Sequence, residues 1–142
     1  MNGFLLDTNC ISEIVSPRPE KRVLEWIDAA DESVLYLSVL TLGEIRKGVV
    51  GLAAGRRRTH LESWLEVDLP ARFAGRILPI DRSVADRWGL IAAETKRRGR
   101  PMGTIDGLLA ATAFSSDLTL VTRNTNDFVQ SRVPLLNLWG GK

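Results

Sequence analysis

The sequence holds one cysteine, Cys10, and one histidine, His60. A single cysteine excludes an internal disulfide and suits a reducing compartment, so a cytoplasmic location is expected. Neither residue has partners at ligand spacing, which argues against a zinc site. His60 also lacks a neighbouring nucleophile and orienting acid, which argues against Ser-His-Asp and Cys-His catalysis. Cys10 reads as a small buried apolar residue, and His60 as a surface residue on the fourth helix. No apolar run reaches 18 residues, so no membrane-spanning helix is expected. Gly3-Phe4-Leu5-Leu6 is cut short by Asp7 and is too brief for a signal peptide. A large charge excess is missing too: 19 basic and 17 acidic residues leave +2. Repeats, low-complexity tracts and linkers are absent. The 142 residues are 44% apolar, enough for one core, so a single domain over 1–142 is expected.

The basic residues that are present are clustered. Arg56-Arg57-Arg58 and Lys96-Arg97-Arg98 with Arg100 form two groups. They are either solvated helix ends or the rim of a surface that meets a polyanion.

Hydrophobic periodicity alternates between strand and helix. Residues 3–6 read as a buried strand, and a helical turn near Ile11–Val15 is broken at Ser16-Pro17. Residues 19–30 read as a helix with Pro19 near its start. Val34–Leu37 is a second strand. A helix over about 39–53 closes near Gly55, and another spans about 55–69. Residues 77–80 form a short strand whose Pro79 marks an edge position or a strand end. Residues 83–98 are an amphipathic helix stopped by Gly99 and Pro101. Thr104 is placed as the N-cap of a helix over 105–116. Residues 118–121 are the fourth strand, Asp127-Phe128 a short turn, and 133–138 a last strand. Strands joined through helices need crossovers, so the expected fold is α/β: a central parallel sheet with helices on both faces.

Acidic residues follow these strands. Asp7 directly follows the first, Glu44 lies in the first turns of the helix after the second, and Asn124 and Asp127 follow the fourth. Asp106 begins the helix after Thr104. Open parallel sheets bind ligands at the carboxyl ends of their strands. Asp7, Glu44 and the Asn124 loop map there, and Asp106 joins them if its helix starts at that edge. Each acid has a plainer role available. Asp7 could cap a turn, Thr41-x-x-Glu44 matches a capping box, Asp106 suits a helix dipole, and Asp127 could start a turn. Yet four independent caps need not fall on one sheet edge.

Two like charges about 4 Å apart repel by roughly 4 kcal/mol at an effective dielectric of 20. Such a cluster takes up protons or traps a cation. Oxygen donors alone favour a hard ion, Mg²⁺ or Mn²⁺. Such an ion keeps waters, holds phosphates and lowers the pKa of a bound water. That is a route to phosphodiester hydrolysis with no protein nucleophile.

Four segments then carry a family resemblance. They are Leu5-Leu6-Asp7-Thr8-Asn9 with Ile11-Ser12-Glu13, Leu37-Ser38-x-x-Thr41-x-x-Glu44-Ile45 with Gly48, Asp106 through Ala113, and Val121-Thr122-Arg123-Asn124 with Asp127-Phe128. In this order they resemble the PIN-domain toxins of bacterial toxin–antitoxin modules, most closely the VapC/FitB group. The stretch Ala54-Gly55-Arg56-Arg57-Arg58 shares in that likeness. The resemblance implies a PIN fold and an endoribonuclease with Mg²⁺ or Mn²⁺ held by Asp7, Glu44 and Asp106. It implies a homodimer, and a cognate antitoxin whose C-terminal segment enters the acidic cleft. Asn124 would join the catalytic set, although many relatives carry an aspartate there. The amide oxygen could still hold a water on the metal, but one negative charge is lost, and Asp127 is placed to compensate in part. Thr8, Asn9, Ser38, Thr122 and Asp127 are expected to orient the carboxylates. Arg46, Arg97, Arg98 and Arg100 are candidate RNA contacts. Trp26, Trp64 and Trp88 lie on apolar stripes and are expected to pack rather than stack on bases.

Two other functions compete. A haloacid-dehalogenase-like phosphatase usually needs Asp-x-Asp, where this chain has Asp7-Thr8-Asn9, and a phospho-accepting receiver needs paired acids and a late lysine that are not evident. A non-cleaving protein that binds RNA or a partner through a degenerate cleft is the main alternative, on the strength of Asn124.

Overall fold

In the computed structural model, residues 2–140 are described. The expected domain of 1–142 therefore runs past the described residues at both ends. Five short strands form one parallel sheet: β1 (Phe4–Leu6), β2 (Leu35–Ser38), β3 (Ile77–Leu78), β4 (Thr119–Val121) and β5 (Leu135–Leu136). Their order is β3-β2-β1-β4-β5. The chain builds outward from β1 through β2 to β3, then crosses back to lay β4 on the other side of β1. That reversal puts the ligand-binding crevice of such a sheet between β1 and β4.

Eight helices connect the strands among the described residues: α1 (Thr8–Ser12), α2 (Lys21–Ala29), α3 (Val39–Val50), α4 (Arg56–Ser63), α5 (Leu69–Arg72), α6 (Arg82–Arg97), α7 (Thr104–Ser115) and α8 (Thr125–Phe128). They cover both faces, as expected. Alternation along the strands sends Leu6, Leu35, Leu37 and Val121 to one face, against Ile11, Val23, Ile27, Ile45 and Phe73 of the α1–α5 side. Leu5 and Leu120 point the other way, onto α6 and α7. Leu5, Leu6, Leu35, Leu37 and Leu120 are fully buried, each worth about 1.5–3 kcal/mol of apolar burial. Ala110, Ala111 and Ala113 are fully buried as well, so α7 approaches its neighbours through small side chains. Just before β1, Gly3 has φ +125°, and a Cβ there would sit 2.7 Å from the Val34 carbonyl oxygen. Only glycine fits this entry to the central strand.

Several expectations need correction. The helix expected over 55–69 is broken. After α4 the backbone widens into a π turn over Trp64–Asp68 before α5. Pro70 has no N–H to give to the turn before it, which accounts for the irregularity there. Thr104 is the first residue of α7, not its cap. Gly103 holds the cap position, and no side chain bonds the first turn. Thr41 does not form a capping box with Glu44, because Ser38 caps α3 through a 3.0 Å bond from Leu40 N–H. The turn expected at Ile11–Val15 starts earlier, at Thr8, and its second half tightens into a 3₁₀ turn. β3 is the edge strand that Pro79 suggested, with the proline just past its end. The strand expected over 133–138 shrinks to β5.

The aromatic residues pack as expected. Trp64 is buried, Trp26 meets Phe4 edge-on, and Trp88 lies so close to Gly107 that a Cβ there would stand 3.1 Å from its ring. Trp139 packs on the first core and donates its indole N–H to Glu13 at 2.9 Å.

Candidate active site

Leu6 of β1 is in register with Val121 of β4. The next residues, Asp7 and Thr122, are therefore neighbours at the carboxyl ends of the two central strands. Asp7 N–H continues the ladder to the Val121 carbonyl at 2.9 Å, and Thr122 N–H reaches Leu136 at 3.0 Å. Each leaves its strand with its backbone still paired, so its side chain is held at the sheet edge.

Asp7 is buried, with 7% of its surface exposed. Its Oδ1 accepts the Thr8 N–H at 2.7 Å, so it does cap α1. Its Oδ2 accepts the Thr122 hydroxyl at 2.8 Å. Asn9 stands 3.5 Å from both Asp7 Oδ2 and Thr122 Oγ1, and its own oxygen accepts Arg123 N–H at 3.3 Å. Thr122 in turn accepts Asn124 N–H at 3.0 Å, tying the loop after β4 to Asp7. Across the cleft, the Thr8 hydroxyl donates to Glu44 and lies 3.4 Å from the Thr41 hydroxyl. Of the residues expected to orient the acids, Thr8, Asn9 and Thr122 touch them directly, whereas Ser38 acts on the α3 backbone. Thr41, fully buried, was missed because its place inside α3 shows only once Ser38 is seen to be the cap.

The acids feel one another. Burial pushes the Asp7 carboxyl above its ordinary range; the bonds from Thr122 and Thr8 pull it down, and the Glu44 and Asp127 charges push it up again. Asp106 is raised by burial first, then by the charges of Asp127, Asp7 and Glu44. Two acids at the ends of different elements, β1 and α7, thus share one electrostatic environment with Glu44 and Asp127. Among the described residues no three of these side chains already stand as a cage for an ion. An ion would have to draw them in. The donors are all oxygens, which is the chemistry of a hard cation site. Cys10 lies beneath, with its thiol pushed to about 12 by burial and by Asp7 and Glu13, so it stays protonated and is no ligand. His60 is exposed on α4.

Asn124 is exposed, and its side chain does not cap α8. Asp127, in the first turn of α8, is the loop acid that couples to Asp7 and Asp106. The four candidate arginines divide. Arg46 pairs with Glu66 at 2.7 Å, and Arg97 pairs with Glu94. Arg98 is bound to Gln130 through its side-chain oxygen at 3.0 Å and its backbone oxygen at 2.7 Å. Arg100 lines a cavity together with Asp106 and Asp127. Asn126 and Gln130 share that cavity. The polar loop after β4 gave no sequence signal for either.

A five-stranded parallel sheet with a buried acid at the end of its central strand, facing acids from the following helices, is the architecture of a PIN-type nuclease. The PIN domain family model matches residues 4–134, and the chain belongs to that family. It is 41% identical over 136 residues to Toxin FitB of Neisseria gonorrhoeae, covering 96% of this chain and 98% of the relative. It is 38% identical over 136 residues to VapC ribonuclease Y4jK of Sinorhizobium fredii, covering 96% and 97%. The structure superposes on the FitAcB crystal structure from N. gonorrhoeae with a TM-score of 0.91 at 40% identity, covering 96% of this chain and 99% of that one. For DNA-bound VapBC from Salmonella typhimurium the values are 0.80 and 27%, with 97% and 99% covered.

Proposed function

We propose that the chain is an Mg²⁺- or Mn²⁺-dependent endoribonuclease, the toxin half of a toxin–antitoxin pair. The observation that carries this is the shared field of Asp7, Glu44, Asp106 and Asp127 at the switch point of the sheet. Relatives named as ribonucleases, matched over nearly the whole chain, support it.

Asp7, Glu44 and Asp106 would hold the ion. When bound, it would activate a water and stabilise charge on the scissile phosphate. Thr122 and the Thr8 N–H fix both Asp7 oxygens and oppose the upward push of burial on its pKa. The Thr8 hydroxyl donates to Glu44 and so orients that carboxylate across the cleft. Asp127 restores near α8 the negative charge that Asn124 lacks. Asn124 is left to position a water through its amide.

An apolar groove of about 270 Å³ leads away from Thr8 and Glu44 between α3 and α4, walled by Gly48, Leu52, Arg57 and Leu61. It suits an antitoxin segment whose basic side chain reaches the acids; relatives have been solved as FitAB and VapBC complexes. On the other side of α3, the exposed Val39, Leu52 and Ile105 border a larger apolar groove, where we place a second copy of this chain in a homodimer. No helix among the described residues is long and apolar enough to cross a membrane. An RNA substrate puts the working site in the cytoplasm.

The test is cleavage of structured RNA with Mg²⁺ or Mn²⁺ by wild type and by Asp7→Asn. Loss of at least a hundredfold in the variant is expected; equal cleavage by both would sink the assignment. Asn124 is what favours a non-cleaving RNA-binding relative. RNA retention without any Mn²⁺ binding in calorimetry would select that reading instead.

A further inference from the structure

Beside the acidic cluster lies a cavity of about 400 Å³, within the range that holds one small ligand. Asp106 and Asp127 form the wall it shares with the cluster. The other lining residues are of different chemistry: Arg100, Asn126 and Gln130, with Pro101, Met102, Gly103 and Val129.

Two of these groups are set by the fold. Gly99 turns the chain at φ +74°, and Arg100 N–H then closes onto the Thr95 carbonyl at 2.8 Å. This carries Arg100 off the end of α6 and onto the cavity rim, without an acidic ion-pair partner among the described residues. Gln130 is held by Arg98, which donates to its side-chain oxygen at 3.0 Å and its backbone oxygen at 2.7 Å. A guanidinium only donates, so the Gln130 oxygen must face it. The Gln130 amino group is left as a donor, with no protein acceptor among the described residues. Arg98 is itself steadied by Glu94 at 3.4 Å. Arg98 therefore acts as a positioning residue for Gln130.

We propose that this cavity is the subsite for one ribonucleotide residue of the substrate, next to the bond being cut, and that Gln130 and Asn126 select its base. The proposal rests on the RNA-cleaving reading. Charge sets the orientation. The scissile phosphate goes to the ion that Asp106 would help hold, and Arg100, the one cationic side chain lining the cavity, takes the neighbouring phosphate. The base lies between Met102 and Val129, and the two amides bond to its edge. Val129 is 54% exposed and free to meet it.

The experiment is an amide-resolved NMR titration of the full chain, in Mg²⁺, with AMP, GMP, CMP and UMP. Saturable shifts are expected in residues 100–106 and 126–130. The best and worst nucleotides should differ in Kd by about tenfold, the discrimination one good pair of base contacts gives. Gln130→Glu keeps the Arg98 clamp but removes the donor, so it should bring the four nucleotides within about threefold. Asn126→Ala should also reduce the spread, and Arg100→Ala should weaken all four alike. Equal binding of the four by wild type, shifts elsewhere, no binding, or discrimination that survives both amide variants would overturn the subsite. RNA cleavage without selective binding removes the subsite and leaves the nuclease. Selective binding here without cleavage removes the nuclease and leaves a nucleotide site.

Discussion

Replacing Thr122 with valine keeps the shape and removes one oxygen. Thr122 is fully buried, so the change opens no path for water to take its place. Three bonds go: the 2.8 Å donation to Asp7 Oδ2, the 3.0 Å acceptance from Asn124 N–H and the 3.5 Å acceptance from Asn9 Nδ2. A hydrogen bond to a charged group is worth about 1.5–3 kcal/mol. The Thr122 bond favours ionised Asp7, so its loss raises the Asp7 pKa further. The rise follows because only the ionised form accepts that bond, and nothing replaces the donor in the buried site. Protonated Asp7 is a poor ligand, and removal of such an orienting group typically costs 10–100-fold in metal affinity. Calorimetric titration with Mn²⁺ at pH 7 should show that loss, and the acid limb of the pH–rate profile should move to higher pH. Serine at 122 should restore most of both. A folded Thr122→Val protein with unchanged Mn²⁺ affinity and an unchanged acid limb would refute the reasoning.

Other outcomes follow from the same structure. In EDTA, Asp7 and Asp106 have folded pKa values above the ordinary 3.8. Groups raised on folding stabilise fully below the unfolded pKa and lose that contribution as pH rises through the folded one. Urea unfolding should thus show these two acids lowering metal-free stability from pH 4 toward 7. Asp106→Asn should flatten the dependence and Mg²⁺ should offset it; a dependence that is identical in the variant counts against the coupling. Gly3→Ala must place a Cβ 2.7 Å from the Val34 carbonyl oxygen at φ +125°. A loss of about 3 kcal/mol in chemical denaturation is expected from strain and overpacking together, and a loss under 1 kcal/mol contradicts it. Cys10 is fully buried with its pKa at about 12. A thiol reagent at pH 8 should therefore label it only after urea is added, whereas rapid labelling of the folded chain would show the pocket to be open.

The strands and the acids that follow them were legible because Phe4-Leu5-Leu6-Asp7 and Leu120-Val121-Thr122 pass from buried to polar within one residue. Ser38 and Thr104 show where local reading fails. Both can cap a helix, and the choice between Ser38 and Thr41, or Gly103 and Thr104, depends on where the sheet releases the chain. Glu44 reads as half of a capping box until Thr8, 36 residues away, is seen to bond it. Asp106 was within reach of the cluster from its sequence, yet only the packing of α7 beside β4 brings it there. The Arg98–Gln130 clamp spans 32 residues and joins two exposed-looking polar segments, so no periodicity announces it.

The most direct measurement is anomalous diffraction from crystals of the chain grown with Mn²⁺. One peak bounded by the carboxylates of Asp7, Glu44 and Asp106 is expected, and it should vanish in Asp106→Asn. A well-ordered, fully exposed cleft with no peak at saturating Mn²⁺, or a peak bound elsewhere, would contradict the metal-dependent reading.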